Sequence, residues 1–195
     1  MAPADEPYHP DGPGGRGGRE NEEALTLGVE EEFQLLDRRS GALVSRGRQV
    51  LASLPEGLGF LEVQGELPLS QVETATPVCR TLAEVRGHVS RLRAAAAHAA
   101  QAADCAAVAS GTAPIADWRV QEAARGERYE PLHTELRDGL VREQLIAGLH
   151  VHVGIGDRDR AVVVLDRTWP WLPVLAAPAA NSPYWLAPTR GTRRR

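Results

Sequence analysis

The sequence contains no lysine, so all 22 of its basic residues are arginine. This absence excludes Schiff-base catalysis by lysine and the lysine of a phosphate-binding P-loop. Any phosphate that this chain binds must therefore be met by arginine, by backbone N–H groups or by metal ions.

Cysteine is equally scarce, because only Cys79 and Cys105 occur in 195 residues. Two cysteines without a Cys-x-x-Cys spacing form neither a disulfide framework nor a cysteine-rich zinc site, so we expect a reducing, cytoplasmic environment. Residues 1–10 lack the features of a secretory signal, and no apolar run is long enough to span a bilayer. We therefore expect no membrane partner.

A large excess of positive charge is also lacking, since the formal net charge is −4 and the pI is about 5.9. Without a broad positive field the chain is not expected to bind nucleic acid. Its hydrophobic share of 43% is enough for one sizeable core. Residues 1–23 are rich in proline, glycine and charge, which predicts a disordered leader before a single domain.

Apolar periodicity predicts an α+β chain. Alternation predicts strands at residues 25–36, 60–67, 71–75 and 144–155, with a bend at Pro68 and a short buried strand at 105–110. A capping box at Thr81 opens a helix that runs towards Asp104, and residues 127–140 and 157–165 are also expected to be helical. Four prolines between residues 170 and 183 argue against one regular helix there.

Acidic residues occupy positions of these strands where they can meet. Alternation directs Glu30 and Glu32 to the face opposite Val29 and Phe33, while Glu31 points the other way and is free to pair with an arginine. Glu66 and Glu73 flank Pro68. Carboxylates that gather on a partly dry face repel one another, and a divalent ion such as Mg²⁺ or Mn²⁺ would resolve that conflict.

Purely structural roles for the same residues stay open. A single strand glutamate is more often a solvated surface residue, and only the joint pattern favours a metal site. The His150-x-His152 pair lies on one face of its strand between Gly148 and Gly154, but paired strand histidines are as often simple hydrogen-bonding residues.

Four segments resemble, in order, the signatures of the carboxylate-amine ligases called glutamate-cysteine ligase type 2. They are TLGVEEEFQL at 26–35, ELPLSQVETAT at 66–76, QLIAGLHVHVG at 144–154 and ANSPYW at 180–185. The resemblance implies a glutamine-synthetase-like α+β fold, in which a curved, mainly antiparallel sheet carries metal ions and ATP on its concave face and helices pack on its outer face.

Carried over by position, the resemblance implies five metal ligands, one nucleotide contact and two substrate-side residues. The metal ligands are Glu30, Glu32, Glu66, Glu73 and His150; His152 lies near the nucleotide phosphates, and Gln71 and Asn181 face the substrates. The implied reaction uses ATP and Mg²⁺ or Mn²⁺ to join glutamate or another carboxylate to cysteine or another amine through an acyl phosphate.

The resemblance stops after Trp185, where residues 186–195 form a basic tail unlike the family. We therefore expect residues 24–185 to be the amino-terminal part of a ligase domain in a truncated chain, with exposed sheet edges that favour homo-oligomers. One alternative is a catalytically inactive chain that still binds Mg-ATP. Another is a zinc hydrolase that uses His150 and His152.

Overall fold

A computed structural model describes residues 25–58, 62–124, 145–180 and 182. Their order is β1 (Thr26–Leu36), α1 (Gly47–Ala52), β2 (Val63–Gly65), β3 (Gln71–Ala75), α2 (Leu82–Ala102), β4 (Ala106–Val108), β5 (Leu149–Gly154), α3 (Arg158–Thr168) and α4 (Leu172–Ala179). Short 3-10 turns occur at Trp118–Val120 and Trp169–Trp171. The predicted leader, the tail, the 127–140 helix and Asn181 lie outside the described residues.

The five described strands form one antiparallel sheet around β1. Strand β3 lies along one edge of β1 and is followed outward by β2. The other edge of β1 is shared, because β5 pairs with residues 26–31 and β4 with residues 34–36. The eleven residues of β1 therefore contact three neighbouring strands.

Alternation along β1 separates the core from the opposite face. Phe33 and Leu35 are buried in the main apolar cluster, together with Val72 of β3 and three alanines of α2, which are Ala96, Ala99 and Ala100. Glu31 lies on this same face, and its carboxylate forms two hydrogen bonds with Arg93 of α2, at 2.7 Å from Nε and 2.6 Å from Nη2. The expected orientation of Glu31 is therefore confirmed, with an arginine as its partner.

Helix α2 begins where the capping box predicted. The hydroxyl of Thr81 accepts from the backbone N–H of Glu84, and the Glu84 carboxylate accepts from the backbone N–H of Arg80. The helix ends before Asp104, which has a φ of 56°. An aspartate tolerates this left-handed conformation better than most residues do, and the chain can then turn into β4.

Several elements differ in extent from their predictions. The described part of β2 is only three residues long, and β5 begins at Leu149 rather than at residue 144. Helix α1 was not predicted, because its six residues are too few to show a helical period. Its first residue, Gly47, lies so close to the Leu69 carbonyl oxygen that a Cβ added at position 47 would approach that atom to 2.9 Å.

The proline-rich stretch is more helical than its prolines indicated. It is not one regular α-helix, because a 3-10 turn at Trp169–Trp171 separates α3 from α4. Pro170 and Pro173 occupy first-turn positions, where the missing N–H is not needed. Pro178, one of the four prolines that argue against a regular helix, nevertheless lies within α4, near its carboxyl end. No described helix has both the length and the apolar character needed to cross a membrane.

Candidate metal and nucleotide site

The register of the sheet brings acidic and imidazole side chains from three strands together. Glu32 of β1 lies directly opposite Glu73 of β3, and Glu30 lies directly opposite His150 of β5. Directly opposed residues project to the same face of a sheet. These side chains therefore share the face of β1 that is turned away from α2.

Glu30 lies between the two histidines of β5. Its Oε2 atom is 3.2 Å from Nδ1 of His150 and 3.1 Å from Nε2 of His152. Hydrogen bonds from His150 and then from His152 lower the pKa of Glu30 below its usual value. Glu30 is therefore an ionised acceptor that holds both rings, whose centroids lie 6.1 Å apart with nearly perpendicular planes.

Glu32 is fixed by the chain that leads into β5. The backbone N–H of Gly148 donates to Oε2 of Glu32 at 2.8 Å, and the backbone N–H of Glu32 donates to the carbonyl of Gly148 at 3.1 Å. A Cβ at position 148 would lie 3.4 Å from Nε2 of His150 and 3.7 Å from Oε1 of Glu32. Glycine at this position therefore leaves room around both functional groups.

Glu73 is the most enclosed carboxylate of the site, with 8% of the residue exposed. Burial raises its pKa, and the neighbouring charges of Glu66, Glu30 and Glu32 raise it further, while a hydrogen bond from Gln64 acts in the opposite direction. That bond is 2.7 Å long. Among the described ion pairs, no arginine neutralises Glu32 or Glu73. The carboxylates of the site therefore carry negative charge that no described arginine neutralises, and a bound cation would balance it.

Two groups of potential metal ligands share His150. One consists of Glu30, His150 and His152, and the other of Glu32, Glu73 and His150; within each group the ligand atoms lie within 4.8 Å of one another. Carboxylate oxygens suit Mg²⁺ and Mn²⁺, and imidazole nitrogen also suits transition metals. The donor set therefore fits one or two divalent ions.

The remaining predicted site residues have different surroundings. Glu66 belongs to neither ligand group; its carboxylate accepts from the N–H of Leu67, and its charge acts on Glu73. Gln71 is buried, and its side-chain amide donates to the carbonyl of Ile146 at 2.8 Å. This bond positions the chain before β5, and the substrate role of Gln71 stays a prediction. Asn181 lies outside the described residues.

Gln64 was missed by sequence reasoning, although its amide contacts the site directly. It lies opposite Glu73 in the pairing of β2 with β3. A glutamine in a three-residue strand carries no signal by itself, and only the register identifies its role.

A cavity of about 260 Å³ adjoins the same face and is lined in part by Gly28, Glu30, Thr76 and His152. It offers space next to His152.

A sequence profile described as "Glutamate-cysteine ligase family 2 (GCS2)" matches residues 26–191. A protein of Sorangium cellulosum that carries the name glutamate–cysteine ligase 2 is 38% identical over 171 residues, which are 87% of this chain and 45% of that protein. A protein of the same name from Salinispora arenicola is 44% identical over 163 residues, 82% of this chain and 42% of that protein. The chain thus spans less than half the length of these relatives.

Two solved structures resemble the described fold. A crystal structure of glutamate–cysteine ligase from Francisella tularensis in complex with AMP has a TM-score of 0.54 and 16% identity, over 75% of this chain and 30% of that one. A bifunctional glutathione synthetase from Pasteurella multocida has a TM-score of 0.50 and 16% identity, over 73% of this chain and 18% of that one. These likenesses confirm the expected fold class, an α+β fold with an antiparallel sheet.

Proposed function

Because the chain belongs to glutamate-cysteine ligase family 2, we propose that it contributes to an ATP-dependent ligation of a carboxylate to an amine, with glutamate and cysteine as the expected pair. The observation that carries this proposal is the convergence of two metal-ligand groups on His150. The chain spans 45% of one curated relative, so the activity, the substrates and the partners of a complete ligase belong to the proposal.

The donor set supports the presence of divalent metal. Glu32 and Glu73 would hold an ion together with His150, and Glu30 would hold an ion together with His150 and His152. A bound Mg²⁺ or Mn²⁺ supplies positive charge that stabilises the negative charge developing on a transferred phosphoryl group. His152 would lie beside the nucleotide phosphates, a role that the adjoining cavity supports.

The proposed reaction has two steps. A carboxylate oxygen of the first substrate attacks the γ-phosphorus of ATP, and ADP leaves with the electron pair of the broken P–O bond. The amine of the second substrate then attacks the carbonyl carbon of the acyl phosphate, loses a proton, and expels inorganic phosphate as the amide forms. The acids and histidines of the site act by binding and orientation, because they approach ligands from one rigid sheet face.

The direct test is phosphate release from ATP that depends on both glutamate and cysteine, measured with Mg²⁺ or Mn²⁺. His150→Ala should abolish it, because His150 belongs to both ligand groups. His98→Ala is the matched control, because His98 is exposed on α2, away from the site. Mg-ATP binding without turnover for any amino-acid pair would favour the inactive, nucleotide-binding alternative.

A zinc hydrolase is the second candidate. Glu30, His150 and His152 have the two-histidine, one-carboxylate composition of several catalytic zinc sites. The neighbouring Glu32 and Glu73 favour the ligase, because they add hard oxygen ligands that zinc does not need. Metal analysis of purified protein separates the two functions, since one tightly bound zinc per chain would support the hydrolase.

The surroundings of the cysteines and of β5 support two further expectations. Cys79 and Cys105 are both buried and free, which agrees with a reducing cytoplasm. Leu149, Val151 and Val153 of β5 are exposed, which supports self-association of the isolated chain. No nucleic-acid partner is proposed.

A further inference from the structure

A glutamine and two glutamates form a row across three strands of the sheet. Gln64 of β2 lies directly opposite Glu73 of β3, and Glu73 lies directly opposite Glu32 of β1. Neighbouring strands are about 4.8 Å apart, so the row spans about 10 Å. Directly opposed residues project to the same face of a sheet. Glu73 is therefore flanked by a neutral amide on its β2 side and by a carboxylate on its β1 side.

The amide of Gln64 holds one oxygen of the Glu73 carboxylate. Its Nε2 atom donates to Oε2 of Glu73 over 2.7 Å, in a partly buried position. The bond directs Oε2 outward, towards β2. The other members of the ligand group that contains Glu73 are Glu32 and His150, which belong to β1 and β5 on the other side of Glu73. Only Oε1 of Glu73 is then left to face them.

The number of oxygens that a carboxylate presents affects which divalent ion it suits. Ca²⁺ takes about six to eight oxygen ligands and often binds both oxygens of one carboxylate, whereas Mg²⁺ requires a near-ideal octahedron with shorter bonds. A carboxylate that presents a single oxygen fits the octahedral ion. A carboxylate that rotates freely can present both oxygens, and it therefore accommodates Ca²⁺ more easily.

We propose that Gln64 is a positioning residue that makes the site selective for Mg²⁺ and Mn²⁺ over Ca²⁺, because it restricts Glu73 to one coordinating oxygen. Gln64 binds no ion itself and acts through the bond to Glu73. The inference rests on the proposed function, which needs Glu73 as a metal ligand. It goes further by naming the residue that determines the choice of ion.

The neutrality of the Gln64 side chain is part of the argument. A lysine or arginine at position 64 could donate the same hydrogen bond, but its positive charge would offset that of the carboxylate and weaken the attraction for any cation. An ionised glutamate at this position would donate no hydrogen bond. It would also add to the negative charges of Glu30, Glu32 and Glu66, which already act on Glu73. Glutamine supplies the donor without changing the charge of the site.

Gln64→Met is the direct test, because methionine has a similar length but no N–H group to donate. The affinities of the 195-residue chain for Mn²⁺ and for Ca²⁺ are measured separately by calorimetry at one neutral pH. We expect the parent to prefer Mn²⁺. In Gln64→Met the ratio of the two affinities should shift towards Ca²⁺ by about tenfold, the size typical of losing a hydrogen-bond partner of a metal ligand. A general loss of structure would lower both affinities and leave their ratio unchanged.

Gln64→Lys separates the hydrogen bond from the charge. Lysine can still donate to Oε2 of Glu73, so the preference for Mn²⁺ over Ca²⁺ should stay within about twofold of that of the parent. Both affinities should fall by about tenfold, because the added positive charge repels either ion equally. Gln101→Met is the matched control, because Gln101 is exposed on α2, away from the site, and both affinities should be unchanged in this variant.

Gln64→Val replaces Gln64→Met if the latter does not fold, because valine favours strands and also lacks a donor. An unchanged ratio of Mn²⁺ to Ca²⁺ affinity in a folded variant without the donor would overturn the proposal, and so would a parent that binds Ca²⁺ as tightly as Mn²⁺. Either result would leave the proposed metal site standing. A parent that binds neither ion would instead overturn the metal site and this inference together.

Discussion

Glu32 and Gly148 exchange hydrogen bonds in both directions, with the N–H of each donating to an oxygen of the other. The 3.1 Å bond to the Gly148 carbonyl joins the two backbones, and the 2.8 Å bond from the Gly148 N–H ends on the Glu32 carboxylate. These two bonds therefore fix the orientation of the Glu32 carboxylate. A substitution that removes the charge but keeps the hydrogen-bond acceptor can test the two roles separately.

Glu32→Gln should leave the fold intact and weaken metal binding. The amide oxygen of glutamine can still accept from Gly148, but the negative charge is lost. We expect the unfolding midpoint to stay within a few degrees of the parent, and the Mn²⁺ affinity to fall about tenfold or more by calorimetry. Gln49→Glu on α1 serves as the charge-changing control; equal Mn²⁺ affinity in Glu32→Gln and the parent would contradict a ligand role.

Arg93→Ala should destabilise the chain without affecting the site. Glu31 is buried, with 5% of its side chain exposed, while the Arg93 side chain is 53% exposed. Removing the arginine leaves a buried carboxylate without its strongest partner. Because Arg93 is half exposed, we expect a loss of about 2 kcal/mol in urea unfolding.

Arg86→Ala is the control for this pair, because Arg86 is an exposed arginine of the same helix. It should change the free energy of unfolding by less than about 0.5 kcal/mol. Metal affinity should be unchanged in both variants, since Glu31 lies on the opposite face of β1 from Glu30 and Glu32. A weakened Mn²⁺ affinity in Arg93→Ala would contradict that separation.

Glu73→Gln should stabilise the metal-free chain at neutral pH. The pKa of Glu73 is raised in the fold by burial, so folding favours its protonated form and the ionised form opposes folding. Below the unfolded-state pKa of about 4.3 both states are protonated, and the variant gains nothing from this source. The gain in unfolding free energy of Glu73→Gln over the parent should develop as the pH rises from the unfolded-state pKa through the folded-state pKa of Glu73. At higher pH the gain should remain constant.

The measurement for Glu73 is the unfolding midpoint in chelator at pH 4.5, 6 and 7.5. Added Mn²⁺ should reverse the order, because it stabilises the parent by binding the ionised carboxylate. A parent chain that is more stable than Glu73→Gln in chelator at pH 7.5 would contradict the raised pKa.

Gly87→Ala and Gly47→Ala should have opposite effects on stability. A Cβ at position 87 meets open space within α2, so alanine should add about 0.5–1 kcal/mol through helix propensity. A Cβ at position 47 would lie 2.9 Å from the Leu69 carbonyl oxygen, and that backbone cannot move without disturbing its hydrogen bond from Gly47. Both effects are measured by thermal unfolding, and stabilisation by Gly47→Ala would be inconsistent with this close approach.

Residues whose role depends on local periodicity were predictable from the sequence. Alternation is sufficient to place Glu30 and Glu32 together and Glu31 opposite, and a capping box is sufficient to locate the start of α2. The family resemblance identified the ligase fold. The chain's match to the family's sequence profile confirms that resemblance.

Residues whose role depends on register were not predictable. The bond from Gln64 to Glu73 exists because β2 and β3 pair at that position, and no local pattern encodes the pairing. The hydrogen bond from the Gln71 amide to the Ile146 carbonyl was likewise not predictable, because the two residues are 75 positions apart in the sequence. The metal, nucleotide and substrate roles of the site residues stay predictions that the experiments above can decide.

The alternation of side chains between the two faces of β1 also determines which mutations this strand tolerates. Odd positions from Leu27 to Leu35 face the helix side, and even positions from Gly28 to Glu32 face the site. Insertion or loss of one codon in the middle of this strand would invert every later side chain, sending Phe33 into solvent and a carboxylate into the alanine-lined interior. Within the middle of this strand, a point substitution therefore preserves both faces, whereas a one-codon insertion or deletion does not.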